Sequence, residues 1–205
     1  MIAFLHTSKV HIERFEKLVK KYNKEIEIKH YVNEELLEYA LLNGKVDSTL
    51  FNKEVNKIKE NSPSLLICTC STCGKECDKL SDVYRIDAPI VSFLVTKYEK
   101  IGLAYTANST KEVSRDLILK IASGLNRKID IINCDCSDFW KHFEEGDYLE
   151  YEKKIAEKVK LMESQIDVMF LSQASMEGAI NHLSDFRKEI LSSPEFGIKT
   201  LLNNR

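Results

Sequence analysis

The stretch LLICTCSTCGKEC, residues 65–77, holds four of the chain's six cysteines: Cys68, Cys70, Cys73 and Cys77. Thiols at this density do three kinds of chemistry: they ligate a metal or iron–sulfur cluster, pair as disulfides, or surround one reactive thiolate. The spacing C-x-C-x2-C-x3-C matches no standard ligand set, yet with Cys134 and Cys136 as a second pair a metal or redox role stays open. Disulfides rank last. The N-terminal MIAFLHTSKV has no signal-peptide core, and no apolar run approaches the ~18 residues of a membrane span. The expectation is a cytoplasmic chain with reduced thiols and no membrane partner.

Alternate side chains of a strand share a face, so Cys68 and Cys70 point the same way only while the strand lasts. Ser71, Thr72 and Gly74 then open a helix, and exposed N–H groups at such a turn favour anions and lower the pKa of a nearby thiol. Cys70 fits the place of a base or nucleophile beside a carboxylate pocket. Cys68 reads as a small buried hydrophobe, and Cys73 and Cys77, a turn apart, as packing.

These residues need elements to position them. Short apolar runs alternate with amphipathic ones, the pattern of an α/β protein with mostly parallel strands. Strands are expected over 2–7, 25–32, 64–70, 83–87, 100–106, 129–136 and 167–175, with an eighth over 188–193. KVHIERFEKLVKKY, STLFNKEVNKIKE, KEVSRDLILKIASGL and YLEYEKKIAEKVKLME have the three- and four-residue apolar spacing of helices. The chain also repeats itself at an offset of about 100 residues: IAFLHTSKVHIERFEKLV parallels IGLAYTANSTKEVSRDLI, and SLLICTCST parallels DVMFLSQAS. Two pseudo-symmetric parallel-sheet halves are therefore expected, 1–95 and 96–185, with 186–205 packing back on the first. Ligands of such sheets bind at the carboxyl ends of the strands, here in a cleft between the halves.

The segments LHTSKVHIERF, LLICTCST, YRIDAPI, IGLAYTANST and FLSQASMEGA resemble, in order, the aspartate/glutamate racemase superfamily, and most closely its racemase-like subgroup of unsettled substrate. The resemblance implies a cofactor-independent and metal-free enzyme, often a homodimer, that acts on a small carboxylate or amino acid. In such enzymes a cysteine from each half flanks the substrate α-carbon. The first matches Cys70, followed by Ser71 and Thr72. Thr7 and Ser8 fall where the first strand end touches substrate, and Thr106 and Ser109 at the second half's carboxylate-binding turn. The second cysteine belongs in LSQAS, where this chain has Gln173, followed by Ala174 and Ser175. Glutamine neither takes nor gives a proton at neutral pH, so symmetric two-thiol racemisation lacks its second acid. One thiol leaves isomerase or lyase chemistry on a small carboxylic acid, or covalent addition, with Gln173 holding a carboxylate or oxyanion. A carboxylate-binding protein without catalysis is the competing expectation.

Other features read more plainly. His6 and His11 bracket the first strand end, and His30, His142 and His182 carry no motif. Asp87, before Ala88-Pro89, and Asp147 read as helix N-caps. The aromatic stripe Phe139, Trp140, Phe143, Tyr148 and Tyr151 reads as core or subunit contact. A net charge of −2 provides no basic field for nucleic acid.

Overall fold

The computed structural model describes residues 1–203 as two compact units, one comprising residues 1–89 and the chain from Pro194 onward, the other residues 90–193. In the first unit the order is β1 (Ile2–His6), α1 (Ile12–Tyr22), β2 (Ile28–Val32), α2 (Glu35–Asn43), α3 (Ser48–Lys59), β3 (Leu65–Cys68), α4 (Gly74–Cys77) and β4 (Val83–Arg85). The second unit begins within α5 (Ala88–Lys97) and continues through β5 (Lys100–Tyr105), α6 (Asn108–Gly124), β6 (Asp130–Asp135), α7 (Trp140–Glu144), α8 (Tyr148–Lys160), β7 (Val168–Leu171) and β8 (Glu189–Ser192). α9 (Ser193–Asn203) returns to the first unit.

Each unit holds one four-stranded sheet, and every strand pair is parallel. The orders, β2-β1-β3-β4 and β6-β5-β7-β8, are the same order written twice. The repeat read from the sequence is a repeat of topology. The central strands are buried along their length, as parallel strands covered on both faces must be: IAFLH in β1, LLIC in β3 and VMFL in β7. Edge strand β2 has no fully buried residue.

Local signals set the helices. Asp47 caps α3, its carboxylate accepting from Thr49 N (2.8 Å) and Leu50 N (3.1 Å). Gly44 ends α2 at φ 71°, the left-handed conformation glycine adopts without penalty. Asp147 caps α8 through Glu150 N, as its place in the sequence predicts. Core clusters form between sheet and helices: Leu5, Leu36, Phe51, Val55 and Leu66 in the first unit, Tyr151, Ile155, Val159, Met169 and Leu171 in the second.

Several strands end sooner than the apolar runs suggest. The run 64–70 is a strand only over Leu65–Cys68, because β1 provides partners only from Ile2 to Leu5 and the last rung is Thr69 N donating to Leu5 O. Cys70 therefore lies past the strand. The run 167–175 stops at Leu171 for the same reason. The eighth strand exists and pairs with β7, so residues 189–192 belong to the second sheet; the boundaries drawn at 95 and 186 fall instead at 89 and 193. The last two residues of the 186–205 segment lie outside the described residues. α2 escaped the sequence reading: ELLEYALLN is apolar on more than one side and weakly amphipathic.

Candidate functional site: a thiol cluster and its polar counterpart

In the first unit the chain leaves β3, passes Thr69 and turns at Cys70 into a 3-10 turn, Ser71–Cys73, that continues as α4. Cys70 is extended (φ −92°, ψ 113°), and Cys73 N donates to its carbonyl at 3.1 Å. Cys68, Cys73 and Cys77 are fully buried, whereas Cys70 is half-buried; all four are free thiols. Sulfur chemistry couples them. The Cys73 thiol hydrogen-bonds to Cys70 and Cys68, and Cys77 to Cys68. The Cys73 hydrogen bond lowers the Cys70 pKa, helped by the Thr7 hydroxyl and the Cys73 N–H against burial and the neighbouring Cys68. Cys68 is lowered as well, by its thiol donors Cys73 and Cys77, and a charge on Cys68 opposes one on Cys70. Cys70 is the least buried of the four. Cys73, which donates towards Cys68 and Cys70, and Cys77, which donates to Cys68, are pushed well up.

The sequence attributed the activation of Cys70 to a helix end. The helical stretch is too short for that, and side-chain donors do the lowering. Ser71 and Thr72, expected as exposed donors, are buried. Thr7 is buried against Cys70, and Ser8 is half-buried one residue on.

From Thr69, the residue before Cys70, runs a chain of rings. His6 Nδ1 lies 2.8 Å from Thr69 Oγ1, and His6 Nε2 lies 2.9 Å from His30 Nδ1. The Thr69 hydroxyl donates to Leu5 O (3.3 Å), so it accepts from His6 Nδ1–H, and His6 Nε2 in turn accepts from His30 Nδ1–H. His30 Nε2 is left with its lone pair buried and unpartnered. Burial, then His30 and His11, push His6 down to about 3, so the ring is neutral. No motif announced this chain, because its members lie 63 and 24 residues apart.

Arg85 anchors the turn from below. Its guanidinium grips Asp87 at 2.7 and 2.9 Å, reaches Asp78 at 3.2 Å, and packs where a side chain on Gly74 would sit. Arg85 and Asp87 are both buried, which gives Asp87 a partner that its reading as a cap did not anticipate.

The second unit repeats the backbone with different chemistry. Ser172 N and Oγ bond to Ala104 O, as Thr69 N and Oγ1 bond to Leu5 O. Gln173 occupies the position of Cys70, extended (φ −122°, ψ 139°), with Met176 N donating to its carbonyl. Its side-chain Oε1 accepts from Thr106 N at 2.6 Å and Thr106 Oγ1 at 3.0 Å. A backbone N–H can only donate, so the carboxamide orientation is fixed and its NH2 faces away from Thr106. Thr7 with Cys70 and Thr106 with Gln173 are thus the same contact in two chemistries.

Tyr151, met in the sequence only as part of an aromatic stripe, is fully buried and places its hydroxyl 3.0 Å from Ser175 Oγ and 3.5 Å from Thr106 Oγ1. Trp140 and Phe143 stack on one another and flank it, so the stripe is largely core; Tyr148 is exposed. Ser109 sits in the first turn of α6, a 17-residue helix whose N-cap, Ala107, offers no side-chain acceptor. Ser109 Oγ is buried and makes no hydrogen bond. Ala174 is buried beside Gln173. Cys134 and Cys136, with sulfurs 3.9 Å apart, are packed in this unit's core. Among the described residues no three His, Cys, Asp or Glu side chains form a group fit to hold a metal ion. A surface groove lined by Lys100, Asp130 and Gln165 lies at the amino ends of β5 and β6, the opposite edge from Thr106 and Gln173.

No family model matches the sequence, and no curated protein does. Solved structures do. A glutamate racemase isoform from Bacillus anthracis superposes with a TM-score of 0.76 at 14% identity, over 100% of this chain and 80% of that one. An aspartate racemase from Picrophilus torridus gives 0.76 at 14% identity, over 99% and 93%. An allantoin racemase from Pseudomonas fluorescens gives 0.60 at 12% identity, over 98% and 89%. The α/β fold of this chain is the fold of these racemases.

Proposed function

We propose that the chain is a cofactor-independent, racemase-like enzyme of the aspartate/glutamate racemase superfamily, acting on a small carboxylate or amino acid through one activated thiol, Cys70. The observation that carries this reading is that Cys70 and Gln173 occupy equivalent strand-to-turn positions, each in its own unit and each held by a threonine. Cys70 takes the α-proton from carbon, and either returns it at a neighbouring carbon (isomerisation) or passes it on as the group on the β-carbon departs (elimination); its lowered pKa favours the thiolate that such a base needs. Gln173 replaces proton transfer with hydrogen bonding: its fixed NH2 donates to a carboxylate or a developing oxyanion. The uncapped first turn of α6 and the unpartnered Ser109 hydroxyl support a carboxylate-binding role for Thr106 and Ser109, since an open helix N-terminus favours negative charge. Thr7, Ser8, Ser71, Thr72, Ala174 and Ser175 complete the proposed binding set. The products expected are those of isomerisation or elimination at the α-carbon, not of two-thiol racemisation.

Gln173 also favours a second reading, a carboxylate-binding protein without turnover, because its oxygen is committed to Thr106 and half the proton-transfer pair is absent. Screening small mono- and dicarboxylates by thermal shift, then assaying each binder for turnover with the wild type and Cys70→Ser, separates the two. Turnover that falls about a hundred- to ten-thousand-fold in Cys70→Ser, the usual contribution of a general acid–base, supports the enzyme. Tight binding with no turnover in either protein supports the binder.

A further inference from the structure

We propose that Cys70-Ser71-Thr72-Cys73 is a redox-active dithiol, which a low-molecular-weight disulfide oxidises to a reversible Cys70–Cys73 disulfide. Three observations on the sulfur cluster converge on it. The first is reach: the Cys73 N–H to Cys70 C=O bond at 3.1 Å closes a four-residue turn. Such a turn brings its end Cα atoms within ~7 Å, and disulfides span ~4.4–6.8 Å. The second is proximity: the Cys73 thiol is within hydrogen-bonding reach of the Cys70 sulfur, as it is of Cys68. The third is asymmetry: Cys70 is half-buried and the least buried of the four thiols, whereas Cys73 is fully buried and meets only a sulfur that comes to it. An outer attacking thiol and an inner resolving thiol two residues apart are the parts that thiol–disulfide exchange requires. Cys68 and Cys77 neighbour Cys73 or each other, but both are fully buried and no external disulfide reaches them. Arg85, packed against Gly74, holds the turn that carries Cys73 in place.

The directions of the thiol pKa values agree with these roles, Cys70 down and Cys73 up. The exchange balances as follows. The Cys70 thiolate attacks one sulfur of RSSR; that S–S bond breaks, RS⁻ leaves, and Cys70 carries a mixed disulfide. Cys73 then gives up its proton, its sulfur attacks Cys70, and the second RS⁻ departs. The protein loses two electrons and two hydrogens, and the small disulfide becomes two thiols. Oxidation removes Cys70 from proton transfer, but the dithiol does not depend on the proposed catalysis, because the test reads sulfur chemistry directly.

The test uses the full, pre-reduced chain in mixtures of reduced and oxidised glutathione at neutral pH, with acid quench, alkylation and tandem mass spectrometry. The wild type is expected to lose two hydrogens in a Cys70–Cys73 bond that dithiothreitol restores. Cys73→Ser is expected to stop at a glutathione adduct on Cys70. A wild type that retains the adduct to the same extent as Cys73→Ser overturns the proposal. So do a bond mapped to Cys68 or to Cys134–Cys136, and thiols that all stay reduced. If Cys73→Ser fails to fold, the map of the wild type decides alone.

Discussion

At the scale of single residues, the two units differ in what a threonine holds at the end of an equivalent strand: a sulfur in one, a carboxamide in the other. If the Cys73 thiol is the largest cause of the lowered Cys70 pKa, removing it must raise that pKa. Iodoacetamide labelling of Cys70 against pH is expected to show an apparent pKa below the ~8.5 of free cysteine, and a higher one in Cys73→Ala. An unchanged profile in the variant would place the activation elsewhere. The Arg85–Asp87 pair gives a second expectation. Both groups are buried, so Arg85→Ala strands a carboxylate, and breaking such a pair costs about 3–5 kcal/mol in denaturant unfolding. A loss well under 1 kcal/mol would mean that water reaches Asp87. The thiol cluster was legible because Cys68, Cys70, Cys73 and Cys77 are neighbours in sequence as well as in space. His6, Tyr151 and Arg85 were not, because Thr69, Ser175 and Gly74 reach them only through the fold.

At the scale of elements, strand ends do the positioning, and they are where the sequence was least legible. Apolar runs continue past the last ladder rung because Thr69, Cys70 and Ser172 remain wholly or partly buried after pairing stops. Burial is what hydropathy reports; pairing depends on a partner strand that a single sequence does not display. The tip of β1 also makes the fold sensitive to acid. His6 is pushed down to about 3, and burial with the nearby Arg14 pushes His11 down to about 4. In the unfolded chain both protonate near 6.5, so the unfolded state binds more protons as the pH drops. Their contribution to stability is intact above about 6.5 and is lost as the pH falls towards the folded values, at ~1.4 kcal/mol per pH unit for each ring. Urea midpoints are expected to fall from pH 7 to pH 5, with a shallower fall in His6→Gln. An equal fall in the variant would assign the acid sensitivity to other groups. The docking of α9 is sensitive to a single methyl group: a side chain at Gly197 would strike the Ile86 carbonyl, so Gly197→Ala is expected to cost about 1–3 kcal/mol.

At the scale of the whole molecule, one strand order appears twice, and this was the most legible feature, because the repeated phrases in the sequence are the repeated β1/β5 and β3/β7 segments. No helix among the described residues is long and apolar enough to cross a membrane. The proposed division of labour between repeats yields an expectation that neither repeat yields alone. Gln173→Cys restores a thiol at the equivalent position, and a substrate that the wild type only deprotonates is expected to interconvert between enantiomers in the variant, read by chiral chromatography.

The most direct test of the central claim is α-proton exchange in D2O. A panel of small amino and carboxylic acids is incubated with wild type and Cys70→Ser, and followed by proton NMR and chiral analysis. The account predicts Cys70-dependent loss of the α-proton signal, or its migration, with no accumulation of the opposite enantiomer. Racemisation by the wild type, or exchange that survives in Cys70→Ser, would contradict it.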